Sequence, residues 1–501
     1  MDITDALSLE NVSFRYLKDG KRKILDEVNL NIKKGTLTVI MGGSGCGKSS
    51  LAAVASGLYP ENGGYLLGGK IFLFGKDLKD LSPKERAKYL SLMFQNPNLQ
   101  FCMENLRQEF YFCMENMQVA PEIMDERIEK TARQMGLSYL LERPLESLSG
   151  GEKQRAALAC LVLMDSACLF LDEPFANLDS KSSKELLQDL ENLKKSGKTI
   201  IVIDHKADLW LPLADEIILL TKGAKVKRRG ICKENIDSFE GIFEEEGLFF
   251  PQKQKRKSKI LEGKDKLLEF FDFSVRKKEQ KKAYFWERKK DGDFLLEKFT
   301  GCFYKGQMTA ILGESGSGKT TFLKALLKEH PYEGKLFFEG EDLSFVKKKS
   351  LYKKTGIVFQ NPANQFISQN VKGEVLDSLF VWEKTLEKEK QEQMAMKSLK
   401  DFGLEKYHRY SPYMLSQGQQ RRLAVLSVLL GGQSLLLLDE PTYGQDQKSA
   451  YAIMEKLQEK VEKEEITLIF ITHDEDLAWA FADRIYRLEE KTLVEVEDDL
   501  L

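Results

Sequence analysis

Short apolar runs recur along this chain, and each ends in glycines or an acid instead of continuing. Thr36–Met41 (TLTVIM), Ala167–Leu171 (ACLFL) and Thr199–Ile203 (TIIVI) are rich in β-branched and aliphatic side chains. Runs this short, without polar alternation, predict strands buried on both faces, as in a parallel sheet. Between the second and third runs, Lys184–Lys195 (KELLQDLENLKK) spaces its leucines as an amphipathic helix does. Strand–loop–helix alternation predicts an α/β fold with ligands at the carboxyl ends of the strands. The longest apolar stretches, Leu158–Leu171 and Leu423–Leu438, are broken by Asp165-Ser166 and by Gly431-Gly432-Gln433-Ser434. Neither reaches the roughly 18–20 residues that a membrane span needs.

The pattern then repeats. Gly42-Gly43-Ser44-Gly45-Cys46-Gly47-Lys48-Ser49 returns as Gly313-Glu314-Ser315-Gly316-Ser317-Gly318-Lys319-Thr320. Phe94-Gln95-Asn96-Pro97 returns as Phe359-Gln360-Asn361-Pro362, Leu148-Ser149-Gly150-Gly151-Glu152 as Leu415-Ser416-Gln417-Gly418-Gln419, and Leu171-Asp172-Glu173-Pro174 as Leu438-Asp439-Glu440-Pro441. His205 returns as His473, and every displacement lies between 265 and 271 residues. Motifs kept in order at a nearly constant offset mark a duplicated domain. The expected division is a first domain over 1–250, a basic linker over 251–260 and a second domain over 261–501. The linker rests on Pro251-Gln252-Lys253-Gln254-Lys255-Arg256-Lys257-Ser258, and a second Lys/Arg-rich patch from Arg276 to Lys290 reads as a solvated loop.

Composition narrows the classes. A chain of 501 residues exceeds what one core supports, and a net charge of -2 offers no basic field for nucleic acid, so none is expected as a partner. The acidic start, MDITDALSLE, lacks the order of a signal peptide. Seven cysteines without a CxxC pair indicate neither a zinc site nor a disulfide framework, and their usage suits a reducing cytosol. Work at a membrane would then require recruitment by a partner.

The glycine loops carry the first chemistry. GxxxxGK[ST] between a strand and a helix surrounds a phosphate with backbone N–H groups at the positive end of the helix dipole. Gly42, Gly45 and Gly47, with Gly313, Gly316 and Gly318, permit the close approach and the positive φ this needs. Lys48 and Lys319 are expected on the β- and γ-phosphates of ATP, Ser49 and Thr320 on Mg²⁺, and Ser50 and Thr321 as adjoining nucleotide contacts. Asp172 and Asp439 end apolar strands and are expected to hold Mg²⁺ through water. Glu173 and Glu440 follow as general bases for the attacking water. Ser149 with Gly151, and Ser416 with Gly418, open helices as further phosphate-facing nests. A P-loop saturates its own phosphates, so each nest is left for nucleotide held by the other domain, and a head-to-tail pairing around two ATP molecules satisfies both copies.

This set resembles the ATP-binding-cassette (ABC) family over nearly the whole chain, in two copies. The resemblance implies two P-loop NTPase domains, each with a mainly parallel sheet and a helical subdomain. It assigns Gln95 and Gln360 to the loop that touches Mg²⁺ and relays to a transport domain, and His205 and His473 to the γ-phosphate. Ala176-Asn177-Leu178-Asp179 and Tyr443-Gly444-Gln445-Asp446 match the D-loop. Tyr16 suits the aromatic that stacks on adenine; its place in the second copy falls near Val275, with Phe285 or Trp286 as substitutes. Gln100-Phe101 with Glu109, and Gln365-Phe366 with Glu374, give the narrower likeness, to ATPases of energy-coupling factor (ECF) transporters, which import vitamins, vitamin precursors and transition-metal ions. That likeness implies an integral membrane coupling (T) subunit docked beside Gln95 and Gln360, a substrate-binding (S) subunit, and a peripheral place on the cytoplasmic face of the membrane.

Two other classes compete. Fused sugar-importer ATPases tend to carry one damaged P-loop, whereas both here are intact. A soluble two-cassette translation factor would have a long charged helical linker. Gln417 and Glu152 depart from the family's signature, yet Ser416 and Gly418 persist, so both sites are expected to hydrolyse ATP. Cys46, inside the first loop, marks that site for blockade by a bulky thiol reagent.

Overall fold

A computed structural model describes residues 4–248, 265–277 and 293–496, except 21, 44, 176–177, 179, 315, 383–386, 443–446 and 464–465. The expected linker, Phe285, Trp286 and most of both D-loops lie outside the described residues. The chain forms two compact units.

The first unit runs β1 (Asp5–Arg15), β2 (Leu25–Lys33), β3 (Leu37–Gly42), α1 (Lys48–Ala55), β4 (Tyr65–Leu73), β5 (Lys76–Asp77), α2 (Pro83–Tyr89) and β6 (Leu90–Met93). It continues with α3 (Leu106–Asn116), α4 (Pro121–Gln134), α5 (Gly150–Met164), β7 (Cys168–Asp172), α6 (Ser180–Lys195), β8 (Thr199–Ile203), β9 (Glu216–Thr221), β10 (Lys225–Ile231) and α7 (Glu240–Glu246). The second unit begins β11 (Lys266–Arg276), β12 (Phe294–Tyr304), β13 (Met308–Gly313), α8 (Lys319–Leu326), β14 (Glu333–Phe338), β15 (Glu341–Asp342), α9 (Lys348–Lys354) and β16 (Thr355–Val358). It ends with α10 (Val371–Trp382), α11 (Lys388–Asp401), α12 (Gln417–Leu429), β17 (Leu435–Asp439), α13 (Gln447–Glu462), β18 (Thr467–Ile471), α14 (Glu475–Phe481), β19 (Arg484–Glu489) and β20 (Thr492–Glu495).

Each unit carries a four-stranded antiparallel sheet, ordered β2-β1-β4-β5 or β12-β11-β14-β15. Each also has a six-stranded sheet, ordered β10-β9-β3-β8-β7-β6 or β20-β19-β13-β18-β17-β16. Only the β9–β10 and β19–β20 pairs of the larger sheets are antiparallel. β7, β8, β17 and β18 are buried at every residue, which explains their unbroken apolar sequences. The predicted strands 36–41, 167–171 and 199–203 thus correspond to β3, β7 and β8, and the predicted helix falls within α6.

Both interruptions of the long apolar stretches are helix ends. α5 stops where Asp165 turns left-handed at φ 59°, and α12 stops at Leu429, just before the glycine pair. In the first unit the sheets and helices enclose two cores. One packs α1 between the antiparallel sheet and the larger sheet. The other buries α3, α4 and α5 with the opposite face of β3, β7 and β8. The carboxyl ends of β3 and β7, and the loop after β6, are therefore carried by a rigid sheet. No helix among the described residues is long and apolar enough to cross a membrane.

Candidate active site

The phosphate loops are built alike in both units. β3 ends at Gly42 and α1 starts at Lys48, with Gly47 at the N-cap at φ 114°; β13, Gly318 (φ 110°) and Lys319 repeat this. A Cβ on Gly47 would lie 2.9 Å from the Ile24 carbonyl oxygen, so glycine is required there on steric and conformational grounds. Gly45 and Gly316 share φ near 75–79° with open space before them. Lys48 is 6% exposed and curls over the loop, donating to the carbonyls of Gly42 (2.6 Å) and Gly43 (3.3 Å). Lys319 donates to Gly313 and Glu314, both at 2.7 Å. The ammonium groups thus stand at the loops' concave face, where phosphate oxygens would replace the carbonyls.

Behind each loop the strand-end acids arrive. Asp172 is 7% exposed; burial and the neighbouring Glu173 charge push its carboxyl up to about 6, against the pull of the Ser49 hydroxyl and of Lys48. Its Oδ1 is buried without a hydrogen-bond partner. In the second unit Thr320 Oγ1 donates to Asp439 Oδ2 at 2.7 Å, and burial likewise raises the Asp439 pKa. A hydroxyl beside a buried carboxylate, with an orphaned oxygen in the first unit, is a hard-oxygen donor set that fits Mg²⁺.

The next residue turns away from the strand. Glu173 and Glu440 sit at φ 49° and 54°, while their N–H groups bond to the Ile203 and Ile471 carbonyls at 2.9 and 3.0 Å. Left-handed backbone at a non-glycine residue costs free energy and persists where surrounding structure holds it. Gln95 Nε2 donates to Glu173 Oε2 at 2.6 Å, and His205 Nε2 lies 2.9 Å from Oε1. Burial works against the charge of Glu173, but His205, Lys48 and Gln95 outweigh it and hold its pKa below the ordinary value. In the second unit His473 Nδ1 lies 3.0 Å from Glu440 Oε2, whereas no hydrogen bond joins Gln360 to Glu440 among the described residues.

Tyr16 is 44% exposed beside the phosphate loop, its hydroxyl 2.7 Å from Ser50 Oγ and its ring edge-on to Phe14 and Tyr59. β1 and β11 share their burial pattern and left-handed residues, Asn11 and Asp272, at a constant offset. That register puts Lys277, not Val275, in the place of Tyr16, so the expected position shifts by two residues and carries no aromatic ring. Ser149 and Ser416 are helix N-caps. Each hydroxyl accepts the N–H of Glu152 or Gln419 (3.3 and 3.4 Å), whose side chain in turn accepts the serine N–H (2.7 and 3.0 Å). Glu152 and Gln419 are equivalent in this box, which explains why either serves. Both serines are exposed.

Cys46 requires a correction. It is 6% exposed within the core beneath the antiparallel sheet, and burial pushes its thiol up, so a bulky reagent has no open thiolate to attack.

One residue escaped the sequence reading. Arg421 on α12 is fully buried and donates to the carbonyls of Phe359 (2.8 Å), Gln360 and Asp439 (3.4 Å). It ties the Gln360 loop to the end of β17. The first unit has Gln154 at the corresponding place, and that departure between copies was the available signal.

The ABC transporter family profile matches residues 25–176 and 296–443, spanning both loops and both strand-end acids. The chain belongs to that family. ABC cassettes bind and hydrolyse ATP, and this two-cassette chain is accordingly an ATPase. A Bacillus subtilis protein provisionally named an HMP/thiamine import ATP-binding protein is 34% identical over 98% of this chain and 91% of its own length. An ABC transporter ATP-binding protein of Methanosarcina acetivorans is 30% identical over 97% of this chain and 84% of its own. The solved structure of an RNase-L inhibitor, 20% identical, matches with a TM-score of 0.64 over 97% of this chain and 90% of its own. The last likeness is one of fold.

Proposed function

We propose that this ABC ATPase is the energy-supplying subunit of an ECF-type importer, driving uptake of a vitamin, a vitamin precursor or a transition-metal ion. The observation that carries the catalytic part is the convergence of Lys48, Ser49, Asp172, Glu173, Gln95 and His205 at the end of one sheet, with the corresponding second-unit residues arranged similarly. Lys48 and Lys319 bind the β- and γ-phosphates. Ser49 with Asp172, and Thr320 with Asp439, hold Mg²⁺ beside Gln95 or Gln360; the ion, when bound, neutralises charge on the transferring phosphoryl group. Glu173 and Glu440 orient and polarise the attacking water, and His205 and His473 fix those carboxylates. Tyr16 stacks on the first adenine. Ser149 and Gly151, and Ser416 and Gly418, complete the nucleotide pockets across a head-to-tail pairing of domains 1–250 and 261–501, joined by 251–260.

The importer part is supported by FQNPxxQF with its acidic partner in both units, and by the import named for the Bacillus subtilis relative. A groove of about 390 Å³ beside the first such motif, lined by Leu90, Phe94, Gln100, Glu109 and Phe112 among others, is where a helix of the membrane coupling subunit would sit. The chain then works peripherally on the cytoplasmic face, with coupling and substrate-binding subunits in the membrane. Pull-down from detergent-solubilised membranes tests this: two hydrophobic subunits should be recovered in fixed proportion. Recovery with ribosomes and without membrane proteins would overturn the importer reading in favour of a translation factor.

A further inference from the structure

In and behind the wall of that groove lie ligand groups that ATP hydrolysis does not use. Glu109 and Cys113 lie one turn apart on α3, and Cys160 faces them from α5; their carboxylate and sulfur atoms lie within 4.8 Å of one another. Glu109 and Cys160 are 2% and 1% exposed, while Cys113 is half-buried and lines the groove together with Gln100. The carboxylate is anchored, because Glu109 Oε2 accepts the N–H groups of Cys102 (2.8 Å) and Met103 (2.9 Å). Gln100 gives its amide nitrogen to the Ala157 carbonyl at 3.5 Å, which leaves Oε1 buried without a hydrogen-bond partner.

The second unit is an internal control. Glu374 holds Ile367 and Ser368 in the same way (3.0 and 2.9 Å), but Ser378 and Ser427 replace the two cysteines. There the polar groups satisfy one another. Ser378 donates to the Glu374 carbonyl and Ser427 to the Ala424 carbonyl, both at 3.0 Å. Gln365 Nε2 reaches the Ala424 carbonyl (3.0 Å) and Ser427 Oγ (3.4 Å), while its Oε1 accepts the Phe359 N–H at 3.3 Å. Changing hydroxyls to thiols therefore coincides with an orphaned amide oxygen and three convergent ligands.

We propose that Glu109, Cys113 and Cys160 form a site for a zinc-class divalent cation (Zn²⁺, Co²⁺ or Cd²⁺), with the groove or Gln100 supplying the fourth position. Two thiolates and a carboxylate suit this class, and distances of about 2.3 Å to sulfur and 2.0–2.2 Å to oxygen are within reach of small side-chain adjustments. Binding deprotonates both thiols, releases two protons and leaves the carboxylate charge in place, so no oxidant is involved. A cation would link α3 to α5, the helix capped by Ser149. This inference does not depend on the importer reading.

Cobalt titration of the full chain under reducing conditions tests it, read by thiolate-to-cobalt charge-transfer absorption. The nucleotide sites offer oxygen ligands and are silent in that band. One equivalent of sulfur-bound cobalt per chain is expected, displaced by zinc and abolished in the Cys113→Ser/Cys160→Ser variant. That variant copies the second unit's own residues, and circular dichroism matching the parent would show it folded. Absence of the band in the parent, its persistence in the folded variant, or recovery of Cys113 and Cys160 as a disulfide would each overturn the proposal.

Discussion

Replacing Arg421 by methionine probes a buried guanidinium whose place in the first unit is taken by Gln154. The guanidinium is fully buried and donates to three carbonyls on two segments, the Gln360 loop and the end of β17. Hydrogen bonds from a charged donor contribute about 1.5–3 kcal/mol each, and a buried carbonyl left unpaired costs about 1–3 kcal/mol. The Asp439 contact, at 3.4 Å, counts for little. Two lost contacts thus cost about 3–6 kcal/mol, while relief of the guanidinium's own desolvation returns part of this. Methionine fills much of the aliphatic stem, so cavity terms stay small. The expected net destabilisation is about 2–4 kcal/mol, confined to the second unit. Arg421→Gln, which copies Gln154, keeps two donors and should cost about half as much.

A two-unit chain has no single unfolding free energy, so the readout must be local. Hydrogen exchange in peptides covering 355–361 and 435–439, read by mass spectrometry against peptides 90–96 and 168–172 as internal standard, supplies it. At 1.4 kcal/mol per tenfold, the methionine variant should exchange roughly 30- to 1,000-fold faster in the second unit. Protection within about threefold of the parent, or equal damage from glutamine and methionine, would refute the carbonyl-clamp account.

Two further outcomes concern the acids. Asp172 has a folded pKa of about 6, above the 3.8 of an unperturbed aspartate, so its protonated form stabilises the fold; that contribution is complete below pH 4 and is lost as pH rises through 6, by up to about 3 kcal/mol. Thermal melting in chelator should show a smaller loss between pH 4 and 6 in Asp172→Asn than in the parent, because the raised Asp439 and the lowered Glu173 contribute alike to both proteins. Mg²⁺ should stabilise the parent above pH 6 by more than the variant, in which the Asp439 site is intact, and superimposable curves would count against the buried-carboxylate argument. Glu173→Gln and Glu440→Gln should each lower steady-state ATP turnover, with losses of about 10²–10⁴-fold at the altered site, and a variant as active as the parent would remove that glutamate from the chemistry.

The parts legible in the sequence are those whose physics is local. A phosphate loop must hold glycine where φ is positive, and a strand buried on both faces must be apolar throughout, so Gly47, Gly318, β7 and β8 could be read directly. The Ser149–Glu152 box is local too, and it shows why the glutamate there is an interchangeable cap. What stayed hidden depends on partners distant in sequence. Cys46 looked accessible because it lies in a ligand-binding loop, but its side chain turns into the core under the antiparallel sheet. Cys113 and Cys160 have no metal-ligand spacing, and only the packing of α3 on α5 brings them together with Glu109. Arg421 reads as one more base on a polar helix turn until three carbonyls converge on it.

The duplicated architecture is shared more closely than the polar groups within it. In the first unit Glu173 is held from two sides, by Gln95 and by His205, and its pKa is lowered. In the second, the Glu440 carboxylate has, among the described residues, only the histidine contact, made through the other ring nitrogen, while the Gln360 backbone is tied to Arg421. Tyr16 finds Lys277 at its counterpart position, and a serine pair stands where the first unit has its two thiols. At the catalytic glutamates the difference is that Glu173 is bonded to a glutamine amide, whereas Glu440 has no such bond among the described residues. A carboxylate bonded to a glutamine amide must give up that contact before it can orient water; one without it has less to rearrange. On this ground we expect unequal turnover at the two sites with both phosphate loops intact; Glu173→Gln and Glu440→Gln variants with equal residual rates would refute it.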